Sequence, residues 1–207
     1  MRNSEKKQLM NLLVKRLPNQ KNELNKIIND NYEIEIYNLI KIYKDMDVNF
    51  DSEILGNMDE VIAYCAFYKV FKGIVPLATI SEAVIEYYDR RMKGYGEKFW
   101  CSLNIEMFSE KNINEIREAA LYSQKNVYKE DYLVYFMEGD GTYTFGNNTI
   151  RCPIHIFCKK AQIFEFLATL CSLDYIRSKY MKSGLTREKC LCNPDDEMCT
   201  FRWKNNM

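Results

Sequence analysis

The stretch E-D-Y-L-V-Y-F-M-E-G-D-G-T-Y-T-F-G-N-N-T-I-R, residues 130–151, decides the fold. Its first part, residues 130–138, is rich in the aromatic and branched residues that favour β-strands. The glycines of G-D-G at 139–141 reverse the chain, and residues 142–151 are predicted to form the returning strand. The stretch therefore predicts an antiparallel hairpin.

A second hairpin is predicted near the C-terminal end of the sequence. Residues 185–192 and 198–204 have strand patterns, and N-P-D-D-E at 193–197 supplies the turn between them. Two helices are predicted between the hairpins. Pro153 opens the short one, and residues 162–181 form the longer one.

The chain before residue 126 is predicted to be helical. Apolar residues recur at near-helical spacing over residues 4–30, where Pro18 divides the pattern into two helices. Residues 32–45 fit either a strand or a helix, and we predict a helix. Further helices are expected at 57–72, capped by Asn57 or Asp59, at 79–91, and at 97–124 with a break near 109–112.

These patterns together predict an α+β fold. A helical N-terminal part, residues 1–125, is followed by a cysteine-rich part, residues 126–207. In the second part, an antiparallel sheet of two hairpins packs against helices. We expect the two parts to form one compact unit, with the functional site in the second.

Charge and hydropathy argue against several classes of partner. The 29 basic and 29 acidic side chains cancel, and no basic run interleaved with aromatics is present, so we expect no nucleic-acid partner. No window approaches the ~18 apolar residues of a membrane span, and the first residues lack the apolar segment of a secretory signal. We therefore expect a cytoplasmic protein with reduced thiols and a small-molecule partner, with a homodimer left open.

Reactive side chains are concentrated in the last quarter of the chain. Cys171 and Asp174 lie three residues apart on a predicted helix and therefore share a face. The thiol is either a small core residue or a nucleophile that a neighbouring arginine or His155 activates. Asp174 would either act as the partner of the Cys171 thiol or bind a cationic group of a substrate.

His155, the one histidine of the chain, lies three residues from both Cys152 and Cys158. A thiol with an imidazole suits nucleophilic catalysis and equally suits a soft metal ion. A single histidine is also often purely structural. Cys65 and Cys101 lie in helical patterns and are expected to be core residues.

Three further cysteines, Cys190, Cys192 and Cys199, are predicted on the last hairpin. A C-x-C pair on a strand places both side chains on one face, so three thiolates could converge on zinc. The spacing departs from the C-x-x-C knuckles of structural zinc sites. We therefore expect no metal cofactor, with zinc as the alternative.

The ordered motifs of this region resemble the L-2-amino-thiazoline-4-carboxylic acid hydrolase family. They are R-C-P-x-H from Arg151, C-x-x-D from Cys171, L-x-R ending at Arg187, and C-x-F-R-W from Cys199. The resemblance covers about residues 130–207. The chain departs from the family pattern at the turn before the last cysteine, which lacks the usual glycine, and at Thr200, Cys190 and Cys192.

The resemblance implies a cysteine-dependent hydrolase that acts on a C–N bond of a small cyclic amidine or thiazoline. It implies Cys171 as the nucleophile and Asp174 as its partner, with His155 as a further catalytic candidate. An arginine would pair with a carboxylate of the substrate. The residues predicted to bind substrate are Arg187, Arg202, Cys152 and Cys199.

Two alternatives to the hydrolase remain open at this point. The cysteine-rich hairpin also resembles, more faintly, small-molecule-binding domains of the 4-vinyl reductase type, which implies a non-catalytic sensor with a ligand pocket. A zinc-stabilised interaction module is the other alternative.

Overall fold

The computed structural model describes residues 3–50 and 58–207 and has the predicted α+β architecture. In these residues, a run of helices precedes a four-stranded antiparallel sheet, and two more helices lie between its second and third strands. The helices are α1 (Asn3–Arg16), α2 (Lys21–Lys44), α3 (Met58–Phe71), α4 (Leu77–Gly94), α5 (Glu97–Met107), α6 (Glu110–Ser123), α7 (Pro153–Lys160) and α8 (Leu167–Met181). The strands are β1 (Leu133–Glu138), β2 (Phe145–Arg151), β3 (Thr186–Arg187) and β4 (Cys199–Trp203).

Local signals in the sequence set most of the helix boundaries. Pro18 opens a short 3-10 turn that separates α1 from α2, as predicted, and α2 continues through the ambiguous residues 32–44. Ser109 divides α5 from α6, because its hydroxyl accepts the amide of Asn112 as an N-cap. The proposed cap Asn57 lies outside the described residues. α4 begins at Leu77, directly after Pro76, two residues earlier than expected.

The main core crosses the boundary between the two predicted parts. α3 contributes the largest share, with Phe67 and Phe71 fully buried, and α7 and α8 contribute Phe157 and Leu167 to the same cluster. Cys65 is fully buried in this core, as its position in the helical pattern predicted. In the described part of the chain, no helix is both long and apolar enough to cross a bilayer.

The two predicted hairpins join into one sheet with the strand order β1-β2-β4-β3. β4 pairs with β2 on one side and with the two-residue β3 on the other. The register places Cys199 opposite Thr149 and Phe201 opposite both Asn147 and Arg187. Because side chains alternate along a strand, Cys199 and Phe201 point to the same face of the sheet.

The strand predicted over residues 185–192 is much shorter than expected. After Arg187, the amides of Glu188 and Lys189 both donate to the hydroxyl of Thr200, and the amide of Cys190 donates to the carboxylate of Asp196. These side-chain acceptors replace the backbone partners of a regular ladder. Residues 188–198 are therefore a connection that contains no regular strand.

The pairing of β2 with β4 requires a residue without a side chain at Gly146. A Cβ atom there would lie 2.4 Å from the carbonyl oxygen of Phe201 and 2.7 Å from Cδ of Arg202. We expect Gly146→Ala to lower the free energy of unfolding by about 1–3 kcal/mol, because the strands must separate to admit the methyl group. Urea denaturation measures this.

Gly94→Ala is the matched control, since a Cβ at Gly94 meets no heavy atom within 4 Å. Its stability should equal or slightly exceed that of the unmodified protein. Equal stability of the two variants would contradict the close approach of the strands.

Candidate functional site

A cavity of ≈ 480 Å³ lies between α3, α8 and one face of the sheet. This volume falls in the range of small-molecule binding sites. Five of the seven residues predicted for the site line the cavity: Cys152, Cys171, Asp174, Arg187 and Cys199. His155 and Arg202 are not among the described residues that line it.

Two periodicities bring the lining residues together. On α8, Cys171, Asp174 and Arg177 are spaced three residues apart and share one face of the helix. On β4, strand alternation turns Cys199 and Phe201 towards the cavity. The helix thus supplies one wall and the sheet the opposite one.

Arg187 connects these two walls. Its side chain is only 3% exposed, and it donates from Nη1 to the Asp174 carboxylate at 3.2 Å and from Nη2 to the Cys171 carbonyl at 2.8 Å. The guanidinium lies over the rings of Tyr175 and Phe201, 5.1 Å and 4.9 Å from their centroids. Its Nε is buried and has no hydrogen-bond partner among the described residues. The buried charge therefore depends on the few groups that face it.

The Asp174 carboxylate faces this cavity and a neighbouring one of ≈ 400 Å³. Although 48% of its side chain is reached by solvent through these openings, the surrounding protein raises its pKa above the ordinary value. Arg187, and more weakly Arg177, act in the opposite direction. A further cation in the cavity would therefore stabilise the ionised carboxylate.

Four cysteine sulfurs lie close together beside the cavity, and two of these cysteines, Cys171 and Cys199, line it. The Sγ atoms of Cys171, Cys190 and Cys192 all lie within 4.8 Å of one another. The thiol of Cys192 contacts the Cys190 sulfur at 2.9 Å, and that of Cys199 contacts it at 3.9 Å. We call these four residues the thiol cluster. Cys190 lies at its centre.

The thiol cluster concentrates negative charge on Cys190. Hydrogen bonds from Cys171 and Cys199 lower the pKa of Cys190, and the same interactions raise the pKa of both donors. The nearby negative charge of Cys190 in turn raises the pKa of Arg187 against the effect of burial. Arg187 is thus the cation that would stabilise a thiolate in the cluster.

Cys152 lines the cavity as the residue that precedes α7. Burial raises its pKa to about 11, although the amides of His155 and Ile154 partly oppose this effect. The hydroxyl of Tyr132, which also lines the cavity, is buried beside it, and its pKa is raised by burial and by Cys152. Cys152 is therefore a protonated thiol at neutral pH.

His155 and Arg202 occupy other environments. The His155 ring packs edge-on against Phe164, with centroids 5.6 Å apart, and burial lowers its pKa. Arg202 points to the opposite face of β4 from Phe201, and donates to the carbonyl of Asn147 at 3.2 Å and to Oδ1 of Asn148 at 2.9 Å. Its guanidinium stabilises the pairing of β2 with β4.

Arg177 is a charged cavity residue that the sequence analysis missed. It is exposed, lines both cavities, and forms no hydrogen bond or ion pair with any residue in 3–50 or 58–207. Its spacing of three residues from Asp174 on the predicted helix could have indicated that it lies on the same face.

Cys190 and Cys192 were expected to lie close to Cys199, but the cluster also includes Cys171 from α8.

Comparisons with family models, with curated proteins and with solved structures found no match for this chain. The family resemblance therefore stays a prediction from motifs.

Proposed function

We propose that the protein hydrolyses the amidine unit of a small cyclic amidine or thiazoline that carries a carboxylate, with Cys171 as the nucleophile. The observation that supports this most is that Cys171, Asp174, Arg177 and Arg187 line one cavity of ≈ 480 Å³. A thiol, a carboxylate and a cation match the three groups of such a substrate: its electrophilic carbon, its basic nitrogen and its carboxylate.

Asp174 and Arg177 would orient the substrate. The carboxylate of Asp174 is open to the cavity and accepts a hydrogen bond from the protonated ring nitrogen, which makes the adjacent carbon more electrophilic. Arg177 pairs with the substrate carboxylate, because its exposed side chain lines the cavity and acts only weakly on Asp174. Arg187 takes a supporting role instead, since both its Nη atoms already donate within the protein.

The thiol cluster would activate the nucleophile. The sulfurs of Cys171 and Cys190 lie within 4.8 Å of each other. The pKa of Cys171 is raised and that of Cys190 is lowered, so the proton passes to Cys190 only as the Cys171 sulfur bonds to the substrate carbon. The net charge of the cluster does not change, and Arg187 remains beside it. Cys190 thus acts as the base in a cysteine–cysteine pair.

The reaction then consumes one water molecule. The Cys171 sulfur attacks the amidine carbon, the ring C–S bond breaks, and the departing thiolate takes the proton from Cys190. Water next attacks the carbon bonded to Cys171. One of its protons returns to the departing Cys171 sulfur, and the other is released, which balances the proton that the ring nitrogen carried. The product is a carbamoyl compound with a free thiol.

Replacement of the nucleophile tests this proposal. We expect Cys171→Ala to abolish the conversion of 2-amino-thiazoline-4-carboxylate to its carbamoyl product, measured by mass spectrometry, while the substrate still binds. Cys101→Ala, at a thiol on α5 outside the cavity, should keep full activity. Full activity of Cys171→Ala would remove the nucleophile assignment, and binding without turnover by the unmodified protein would favour the sensor.

The role of Arg177 gives a second test. We expect Arg177→Met to raise KM for the carboxylate substrate by about tenfold or more, because one charge-assisted pair contributes about 1.5–3 kcal/mol. The effect on kcat should be small. For 2-aminothiazoline, which lacks the carboxylate, the variant and the unmodified protein should have the same KM. An equal loss with both substrates would contradict the assignment.

A further inference from the structure

We propose that the thiol cluster, Cys171, Cys190, Cys192 and Cys199, is a binding site for a soft divalent cation, Zn²⁺. Three of the sulfurs already lie within 4.8 Å of one another, and the fourth, that of Cys199, lies 3.9 Å from Cys190. In a tetrahedral site with Zn–S bonds of about 2.3 Å, neighbouring sulfurs are roughly 3.8 Å apart. To reach this spacing, the side chains must rotate so that Cys190 and Cys192 separate from 2.9 Å and the Cys199 sulfur, which lies outside the group of three, moves towards Cys171 and Cys192.

The segment that carries Cys190 and Cys192 is held in place before any ion binds. It lies between β3 and β4, where Thr200 accepts the amides of Glu188 and Lys189 at 3.0 Å each. The Asp196 carboxylate accepts the amide of Cys190 at 2.9 Å. Cys171 and Cys199 lie on α8 and β4, so the ligands come from fixed elements.

The surroundings of the sulfurs suit a zinc thiolate site. The amide of Leu191 donates to Sγ of Cys199 at 3.2 Å, a contact that orients and stabilises a ligating thiolate. Four thiolates around Zn²⁺ leave a net negative charge, and the nearly buried guanidinium of Arg187 lies beside them. The same cation thus stabilises the cluster with or without the metal.

The ligand chemistry selects the class of ion. Thiolates are soft ligands that favour Zn²⁺ or Cu⁺ over Mg²⁺ and Ca²⁺. Binding displaces the thiol protons that remain, since the metal is held by thiolates. The C-x-C pair supplies two of the four ligands, and cysteines of two other elements supply the remaining two. A C-x-x-C knuckle is therefore not needed for this site.

This inference does not rest on the proposed hydrolase. A thiolate that ligates zinc shares its negative charge with the metal and is a weaker nucleophile than a free thiolate. Zinc would therefore compete with the substrate for Cys171, and metal binding would regulate the enzyme. The test below measures the metal directly and is independent of turnover.

Titration of the reduced protein with Co²⁺ tests the site. We expect saturation at about one ion per chain, with a thiolate-to-cobalt charge-transfer band in the near ultraviolet and the intense visible bands of a tetrahedral ion. Zn²⁺ should displace the cobalt and abolish these bands. Cys190→Ser should bind cobalt more weakly and give a weaker charge-transfer band, because only three thiolates remain. Cys101→Ser should match the unmodified protein, because Cys101 lies outside the cluster.

Two results would overturn the proposal. One is a cobalt spectrum without the charge-transfer band, or with the same band in Cys190→Ser. The other is a disulfide between Cys190 and Cys192. It would be indicated by six reactive thiols, out of eight, in the unfolded, unreduced protein, together with a cobalt spectrum that is the same before and after reduction.

Discussion

The site depends on one buried cation, Arg187. Its side chain is 3% exposed and belongs to a strand of only two residues, yet it contacts the carbonyl of Cys171, the carboxylate of Asp174 and two aromatic rings. It also lies close to the negative charge centred on Cys190. A guanidinium in this position is stable only while those groups face it, so the sheet, α8 and the thiol cluster are fixed relative to one another.

The same arrangement explains why one cluster suits two chemistries. A thiolate beside a guanidinium is available as a nucleophile when its proton can move to a neighbouring sulfur. Several thiolates at this separation are also ligands for a soft cation. Cys171 belongs to both sets, because it lines the cavity and lies within the cluster. Competition between metal and substrate follows directly from that shared position.

The features that the sequence predicted correctly are those that local patterns determine. Pro18 and Ser109 mark breaks between helices, and G-D-G marks the first hairpin. The short β3 was not predictable from propensity, because Thr200 and Asp196 capture amides that a ladder would otherwise use. The competition between side-chain and backbone acceptors for these amides depends on residues about six to twelve positions later in the chain, which propensity does not take into account.

The composition of the site was only partly predictable. The helical spacing of Cys171 and Asp174 placed them correctly, and the same spacing would have added Arg177. Arg202 could have been excluded from the predicted substrate-binding residues. It follows Phe201 directly on β4, so strand alternation turns it to the opposite face of the sheet. The contact of Cys171 with Cys190 and Cys192 joins a helix to a distant connection, so no local pattern could indicate it.

The central claim is that Cys171 is a reachable and activated thiol in a cavity that accepts a small carboxylate. Its most direct test is alkylation of the reduced, metal-free protein with iodoacetamide, followed in time by peptide mass spectrometry. Cys171 should be modified in the folded protein and be protected by 2-amino-thiazoline-4-carboxylate, whereas the fully buried Cys65 and Cys158 should react only after unfolding. Modification of Cys171 as slow as that of Cys65, or unaffected by the carboxylate, would contradict the account.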